Sequence, residues 1–558
     1  MARVGAIPVC AVCVLCAAAF APGASFMISD PCAPLSSAVS FSPQITPDGR
    51  YLIYGGHGTG EGLNALYRVA LDGSSVVRLT GSLAEDGALP TRRQAALSTD
   101  GAHVVYIAPE GADEWAMYQV PTVGGPATEL VRTTTQPPGG MLFGTGLLVT
   151  PDNEHVVYEL DGNLFSVPLA GGQSTRLGEA GTATITPDSS RVVWGTTTEV
   201  YSRPVSGGPG VVLTPPLGGT RSDTTRLALT PDGGRVVFGF YTGGGGSVDL
   251  YSAPVGGGQP VLLAEDVSGI NCFYVAQGGG PVVYTKWDPD TKLGEVRAVP
   301  AEGGPERVLA SGVAGGALMD IRLSTAGERA VFSSGPGELE WFAVPTSGGP
   351  VVPLGQFGIQ VSHWQWNVPS LQFLGEQRCL FLGDGDGDTD TDLILVALED
   401  GAREVLPLPL GPQEVLGPAF VLDPSGQFAL IAVGHTEIRE LSGPGRGPEI
   451  EVFVGRELWA VPLDGADPFR LTEELPDGAS IAGAGFLITP DGATVVYTAR
   501  DLPGLSGTHL FAAPIPEPAT GALLGAGLLV LAARRRAKDP RRVVARGGQE
   551  GGGSATGR

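Results

Sequence analysis

Basic side chains are scarce: the 558 residues carry 34 Lys and Arg against 58 Asp and Glu, a formal charge of −24. Eight of the basic residues fall between Arg534 and Arg558, with only two acidic ones, so the rest of the chain is more acidic still. Binding to nucleic acid needs clustered Lys and Arg, and an acidic body repels phosphate, so nucleic acid is excluded as a partner. Cysteine is also rare. Of six, Cys10, Cys13 and Cys16 sit in an apolar N-terminal segment, leaving Cys32, Cys272 and Cys379. Three thiols cannot form a full disulfide framework, and no paired CxxC zinc spacing joins them. The six histidines do not cluster, and no His-Glu-x-x-His is present. There is no Gly-x-Ser-x-Gly elbow, since Gly478-Ala479-Ser480-Ile481-Ala482 fails at its last position, and no phosphate-binding Gly-x-x-x-x-Gly-Lys-Ser/Thr loop. Long helical periodicity is missing between residues 25 and 514, which excludes an appended α/β-hydrolase domain.

What the chain has is glycine (86) and proline (47), together about a quarter of it. They lie between short bursts of Val, Leu and Ile, the arrangement of many turns joining many strands rather than of a disordered chain. One unit recurs. Thr46-Pro47-Asp48-Gly49 precedes Tyr51-Leu52-Ile53-Tyr54, and Thr150-Pro151-Asp152 precedes Val156-Val157-Tyr158. Thr186-Pro187-Asp188, Thr230-Pro231-Asp232-Gly233 and Thr489-Pro490-Asp491-Gly492 are followed in the same way, and weaker copies start at Ser98, Gly278, Ser324, Gly375 and Asp423. Pro sets φ at the second turn position, Asp bonds back to nearby N–H groups, and Gly accepts positive φ. A second element follows each first one, such as Leu164-Phe165-Ser166-Val167-Pro168 before Gly171-Gly172, or Leu250-Tyr251-Ser252-Ala253-Pro254 before Gly256-Gly257. The Gly-Gly pair predicts a hairpin turn, and the proline, which cannot donate to a ladder, predicts the strand's end.

Each unit therefore predicts four strands at a period of about 36 to 66 residues, the signature of a propeller blade. The two elements together resemble the TolB-like (PD40, WD40-like) propeller repeat over residues 38–514, in about ten units. Such propellers serve binding, scaffolding and enzymatic roles alike. The last unit lacks a strand after Ala513-Pro514, a gap that the segment 36–41 is expected to fill. His103 and His155 share the slot just after the turn with Tyr51, Arg191, Arg235 and Thr494, a mixture that predicts a solvent-facing position.

The two ends read as addresses. In residues 1–24, Arg3 precedes an apolar stretch from Val4 to Phe20 and small residues at Ala21, Gly23 and Ala24, the form of a secretory signal helix. Residues 25–37 read as a linker. Near the other end, Pro516-Glu517-Pro518 precedes an apolar run to Ala533 and then Arg534-Arg535-Arg536. Residues 515–536 resemble the PEP-CTERM sorting segment. That resemblance implies processing by an exosortase-type enzyme, with these six residues as the sorting signal. The run Ala519–Ala533 spans about 22 Å as a helix, short of the roughly 30 Å hydrocarbon core, and the arginine stems extend its reach as a membrane anchor. The arginines belong on the cytoplasmic side. Residues 537–558 read as a basic disordered tail.

The densest candidate site is the run Asp384, Asp386, Asp388, Asp390 and Asp392, spaced by Gly and Thr. Carboxylates at alternate positions repel one another unless they are solvated or bridged, and hard oxygen ligands at this density suit calcium. The EF-hand frame fails: its sixth and twelfth positions hold Thr389 and Leu395, or Thr391 and Ala397. The competing reading is a solvated hairpin between the second and third strands of its blade. Ser362-His363-Trp364-Gln365-Trp366-Asn367 is either a sugar-stacking cluster or core packing. The expectation is thus an all-β, multi-bladed propeller of four-stranded repeats, with an N-terminal signal helix and a C-terminal anchor helix. Its place is the bacterial cell envelope, surface or extracellular matrix. It acts there as a non-catalytic binding module for a polysaccharide or an envelope protein; the alternative is an exported hydrolase or lyase acting on polysaccharide or peptide.

Overall fold

A computed structural model describes residues 25–29, 43–57, 64–80, 95–110, 114–134, 146–215, 222–241, 247–268, 273–288, 290–314, 321–334, 340–356, 371–383, 391–411, 413–440, 449–481, 486–505 and 507–516. The expected signal and anchor helices lie outside these residues, and among the described residues every regular element is a strand.

The turn is built by its own threonine and aspartate. In Thr230-Pro231-Asp232-Gly233, Thr230 Oγ1 donates to Asp232 Oδ1 (2.6 Å) and accepts the N–H of Arg235 (3.0 Å). Asp232 Oδ1 in turn accepts the N–H of Gly234 (3.0 Å), and the N–H of Gly233 closes on the carbonyl of Thr230 (2.8 Å). Thr46, Thr150 and Thr186 repeat the pattern with Asp48, Asp152 and Asp188. Each hairpin thus begins with its donors and acceptors satisfied locally, which pre-sets the strand that follows. Gly101 has φ 71°, and a Cβ there would lie 2.6 Å from the Pro47 ring of the preceding unit, so adjacent turns stack more closely than a side chain permits.

Two units depart from the rule and keep its physics. In Ser324-Thr325-Ala326-Gly327 the aspartate is missing, and Glu376 of the next unit supplies the carboxylate. It accepts from the Ser324 hydroxyl and from the N–H groups of Ala326 and Glu328. At the following unit Asp423 stands in the threonine slot and accepts the N–H groups of Gln427 and Phe428, both at 2.6 Å.

The strand after each turn is buried on both faces: Val156, Val157, Val192, Val193, Val236 and Val237 are all 0% exposed. Its last aromatic meets an aromatic of the next strand in register. Tyr54 pairs with Tyr67, Tyr106 with Tyr118, Tyr158 with Phe165 and Trp194 with Tyr201, at centroid distances of 5.3–5.5 Å. Phe238–Tyr251, Phe332–Phe342 and Tyr497–Phe511 continue the series. Each such pair contributes about 0.5–1.5 kcal/mol beyond its burial. The prolines of the third strand (Pro121, Pro168, Pro204, Pro254, Pro345, Pro462, Pro514) each stand at the strand's last residue, where the missing N–H costs the ladder nothing.

The strands form six four-stranded sheets, one of eight and one of nine. The eight-stranded sheet is two blades joined by one pair, Val267 with Lys286. The nine-stranded sheet is two blades bridged by Ser480–Ile481. The result is ten blades in chain order: 44–78, 95–133, 148–179, 182–212, 222–268, 273–314, 321–356, 371–406, 415–470 and 487–514 with 26–27. We call them blades 1 to 10 and their strands a to d, a innermost. Ten apolar clusters fill the interfaces between successive blades. One of them joins Val496, Leu510 and Ala512 of blade 10 to Leu52, Tyr54 and Ala65 of blade 1, so the blades make one closed ring.

Closure comes from the N-terminal side of the expected place. Phe26–Met27 forms strand d of blade 10, with Phe26 opposite Ala512 and Met27 opposite Phe511. Residues 25–29, read above as linker, therefore belong to the ring, and the segment 36–41 lies outside the described residues. Phe26, Met27 and Ile28 complete the outer edge of blade 10 beside Thr508–Pro514, and Ile28 is 2% exposed inside the blade 10–blade 1 cluster. Beside it, Ser29 Oγ accepts the N–H of Leu510 (3.1 Å) and bonds His509 Nδ1 (3.3 Å), both residues being buried.

Ile28→Ala should therefore destabilise the chain by about 2–4 kcal/mol, read as a lowered urea midpoint, and should open the last strand to protease before the rest. Thr230→Val should cost about 1 kcal/mol, checked the same way. The carboxyls of Asp48, Asp188, Asp232 and Asp491 are held below the ordinary 3.8, first by the hydroxyl of the turn threonine. The folded state then binds fewer protons than the unfolded state, so this contribution is complete above the ordinary value and is lost as pH falls below it. The urea midpoint should drop on acidification below about pH 4, and an Asp48, Asp188, Asp232 and Asp491 to Asn variant should show a shallower acid loss.

Candidate functional site on the two faces of the ring

Up-and-down strands sort the connections by face. The a–b and c–d turns emerge on one face and are all short, as at 46–50, 122–127 and 230–234. The b–c and d–a connections emerge on the other, and these include the long segments 79–94, 134–147 and 357–370. Blade 9 carries its b–c hairpin furthest: Phe428–Glu440 (13 residues) and Glu449–Pro462 (14 residues) pair to Glu440 opposite Glu449, well beyond the last contact with strand a at Val415 and Gly434. The strands that flank both sequence candidates end on this connection face. The aspartate run joins strands b and c of blade 8: Arg378–Gly383 ends where it begins, and Asp392 opens the next strand opposite Gly383. Asp384, Asp386, Asp388 and Asp390 lie outside the described residues. So does Ser362–Asn367, which falls in the d–a connection that enters the same blade.

The histidines are spread over the ring. His435 Nε2 lies 3.2 Å from Glu437 Oε1 on the long hairpin, and His509 is buried at the closure. His103 and His155 begin strand b in their blades and are half-buried, not solvent-facing. The arginines of this slot bond the third strand of their own blade, Arg191 Nε to Ser202 Oγ (2.7 Å) and Arg235 Nε to Ser252 Oγ (2.8 Å), and Arg235 Nε also reaches the carbonyl of Ala301 in blade 6 (3.0 Å). Cys379 is fully buried and its thiol is pushed up by desolvation, so it is an inert core residue. Among the described residues no group of three or more His, Cys, Asp or Glu could hold a metal ion.

Two concavities are present. A cleft of about 870 Å³ opens on the turn face, where blade 6 carries Gln277-Gly278-Gly279-Gly280 in place of the Pro-Asp side chains. It is bordered by Asp232, Arg235, Glu302 and Arg307. A second, of about 500 Å³, lies on the channel wall between the innermost strands of blades 6 to 8, with Tyr274, Arg322 and Phe373 on it. Beside it the guanidinium of Arg226 stacks 4.4 Å from the Tyr274 ring and 5.2 Å from Phe273. Sequence reasoning missed this stack, because the three residues come from two strands with no local motif.

The displaced carboxylates are all displaced downward. Burial works against Glu376, but the hydroxyl of Ser324 and the N–H groups of Ala326 and Glu328 hold it below its ordinary range. The displaced phenols move the other way: Tyr201 is pushed up to about 12, first by its hydrogen bond to Glu199 and then by burial. The Glu376 carboxylate thus holds the turn of the neighbouring blade, and the Tyr201 phenol is tied to Glu199.

Residues 514–536 match the family model for the PEP-CTERM protein-sorting motif. No curated protein matches the chain. Several solved structures are similar in fold. The dipeptidyl peptidase 4 of Porphyromonas gingivalis is 9% identical over 84% of this chain, at a TM-score of 0.43, and the chain spans 65% of that peptidase's length. An oligogalacturonate lyase in complex with manganese is 11% identical, with 89% of this chain and 99% of that one covered and a TM-score of 0.32. A putative TolB from Agrobacterium tumefaciens is 19% identical over 49% of this chain and 80% of its own, at 0.22. The chain is an all-β propeller of four-stranded repeats that carries near its C-terminus a PEP-CTERM motif for export and sorting to the bacterial cell envelope.

Proposed function

We propose that the chain is a cell-surface or matrix binding module that engages extracellular polysaccharide, or an envelope protein, through the connection face of its ring. The observation that carries this reading is the division of the two faces. One is made of short turns whose polar groups are consumed by the fold, and the other collects every long connection, including the aspartate run and the aromatic segment 362–367. Variable loops on a rigid scaffold are where recognition concentrates. The sorting motif implies recognition by an exosortase-type enzyme and gives the reason for display outside the cytoplasm. Calcium fits the same reading: Asp384, Asp386, Asp388, Asp390 and Asp392 offer hard oxygen ligands on this face, in the weak-binding range of extracellular modules.

The test uses the full chain in detergent and the exopolysaccharide fraction of the producing bacterium, with dextran as the neutral control. Co-sedimentation with the exopolysaccharide should require calcium at about 1 mM. It should weaken by about tenfold when Asp386, Asp388 and Asp390 are changed to Asn. No reducing ends or unsaturated products should accumulate. Their steady release would overturn the binding reading in favour of a hydrolase or lyase, and calcium-independent binding unchanged in the variant would remove the aspartate run from it.

A further inference from the structure

The two ends of the folded chain leave the ring side by side. The last strand, Thr508–Pro514, runs toward the turn face, where Pro514 lies opposite Thr494, just after the Thr489–Gly492 turn. The clasp strand runs antiparallel to it, so its entry at Phe26 is on the same face, and the Phe26 ring lies against Gly73 in a c–d turn of blade 1. Ile515 is still part of the fold: it is 8% exposed, and its N–H donates to the carbonyl of Ala493 at 2.8 Å. Beyond it only Pro516-Glu517-Pro518 precedes the apolar run that begins at Ala519.

That spacer is short and stiff. Three residues with two prolines span about 9 Å at the polyproline rise. The blade is thicker than this: a seven-residue strand such as Tyr51–His57 is about 23 Å long. A spacer that leaves from the turn face cannot reach around the wall to place the opposite face on a membrane. We propose that, while residues 519–533 are in the bilayer, the propeller stands with its turn face toward the lipid headgroups and its connection face toward the extracytoplasmic space. This rests on the membrane-sorting part of the function proposed above. It has a consequence for ligand access. The cleft of about 870 Å³ between blades 5 and 7 faces the membrane and is closed to polymers, whereas the connection face is presented outward.

Two probes on one blade test it. Thr197 and Ser206 are both exposed and flank strand c of blade 4, Val200–Pro204, with Thr197 on the connection face and Ser206 on the turn face. The full chain, with Cys10, Cys13, Cys16, Cys32 and Cys272 changed to Ser and Cys379 kept in the core, is labelled with a fluorophore at Thr197→Cys or Ser206→Cys. It is then reconstituted into phosphatidylglycerol–phosphatidylethanolamine vesicles carrying a headgroup nitroxide. The protein should float with the vesicles, and the nitroxide should quench the probe at 206 and spare that at 197. Inserting about twelve Gly and Ser residues after Pro516, a coil of roughly 20 Å, should erase the difference. Flotation with equal quenching at the two positions, or stronger quenching at 197, overturns the orientation and leaves the anchoring intact. Failure to float overturns the anchoring reading and the orientation with it.

Discussion

Everything in this ring depends on its closure. A four-stranded blade is apolar on both faces, because Val and Ile of strand b point alternately to the two neighbours. A stack of such blades in a line leaves two wet faces whatever its length, and only a ring leaves none. The cluster between blades 10 and 1 is therefore not one interface among ten. It converts an open stack into a closed body, and it is assembled from both ends of the chain, with Ile28 and Leu510 in the same core. Within blade 10, Ser29 and His509 bond between its last two strands, nearly the whole chain apart in sequence.

Closure in turn demands that each blade be nearly the same wedge, and the turns enforce that. Where the threonine and aspartate are both present the geometry is self-contained. Where the aspartate is lost, at Ala326, a carboxylate from the next blade takes its place, and where the threonine is lost, Asp423 does both jobs. In blades 7 and 9 the start of strand b is held by an anionic acceptor, whichever residue supplies it. Blades 6 and 8 have neither device in their own turns, which read Ala276-Gln277-Gly278-Gly279 and Leu374-Gly375-Glu376-Gln377.

Much of this was legible in sequence because it is local. Turn chemistry, the apolar strand and the terminal proline each sit within a few residues, so Thr230 to Phe238 declares a hairpin on its own. Long-range facts were not legible. The clasp at Phe26–Met27 is two residues long, too short for any periodicity, and it looked like linker because the strand it pairs with is almost 500 residues away. The slot holding His103 and Arg191 looked solvent-facing because its residues vary, yet it is half-buried: Arg191 lies against Ser202 on the neighbouring strand, and Arg235 reaches Ala301 of the next blade. The stack of Arg226 on Tyr274 has the same origin, since its partners come from adjacent blades.

The same reasoning explains why fold and address are readable while chemistry is not. A propeller repeats its scaffold in sequence but assembles its recognition surface across blades, from connections that share a face and not a segment. Strands a and b of blade 8 illustrate the topology: they lie between the segment 362–367 and the aspartate run in the chain, and their up-and-down order puts the start of strand a and the end of strand b on the same face. A sorting signal, by contrast, must be read as a linear stretch by another protein, so it stays contiguous at 514–536. Its position matters as much as its content. Because the fold holds the chain through Ile515, the signal starts where the wall ends, and the direction of strand c in the last blade sets the face of the ring from which it leaves.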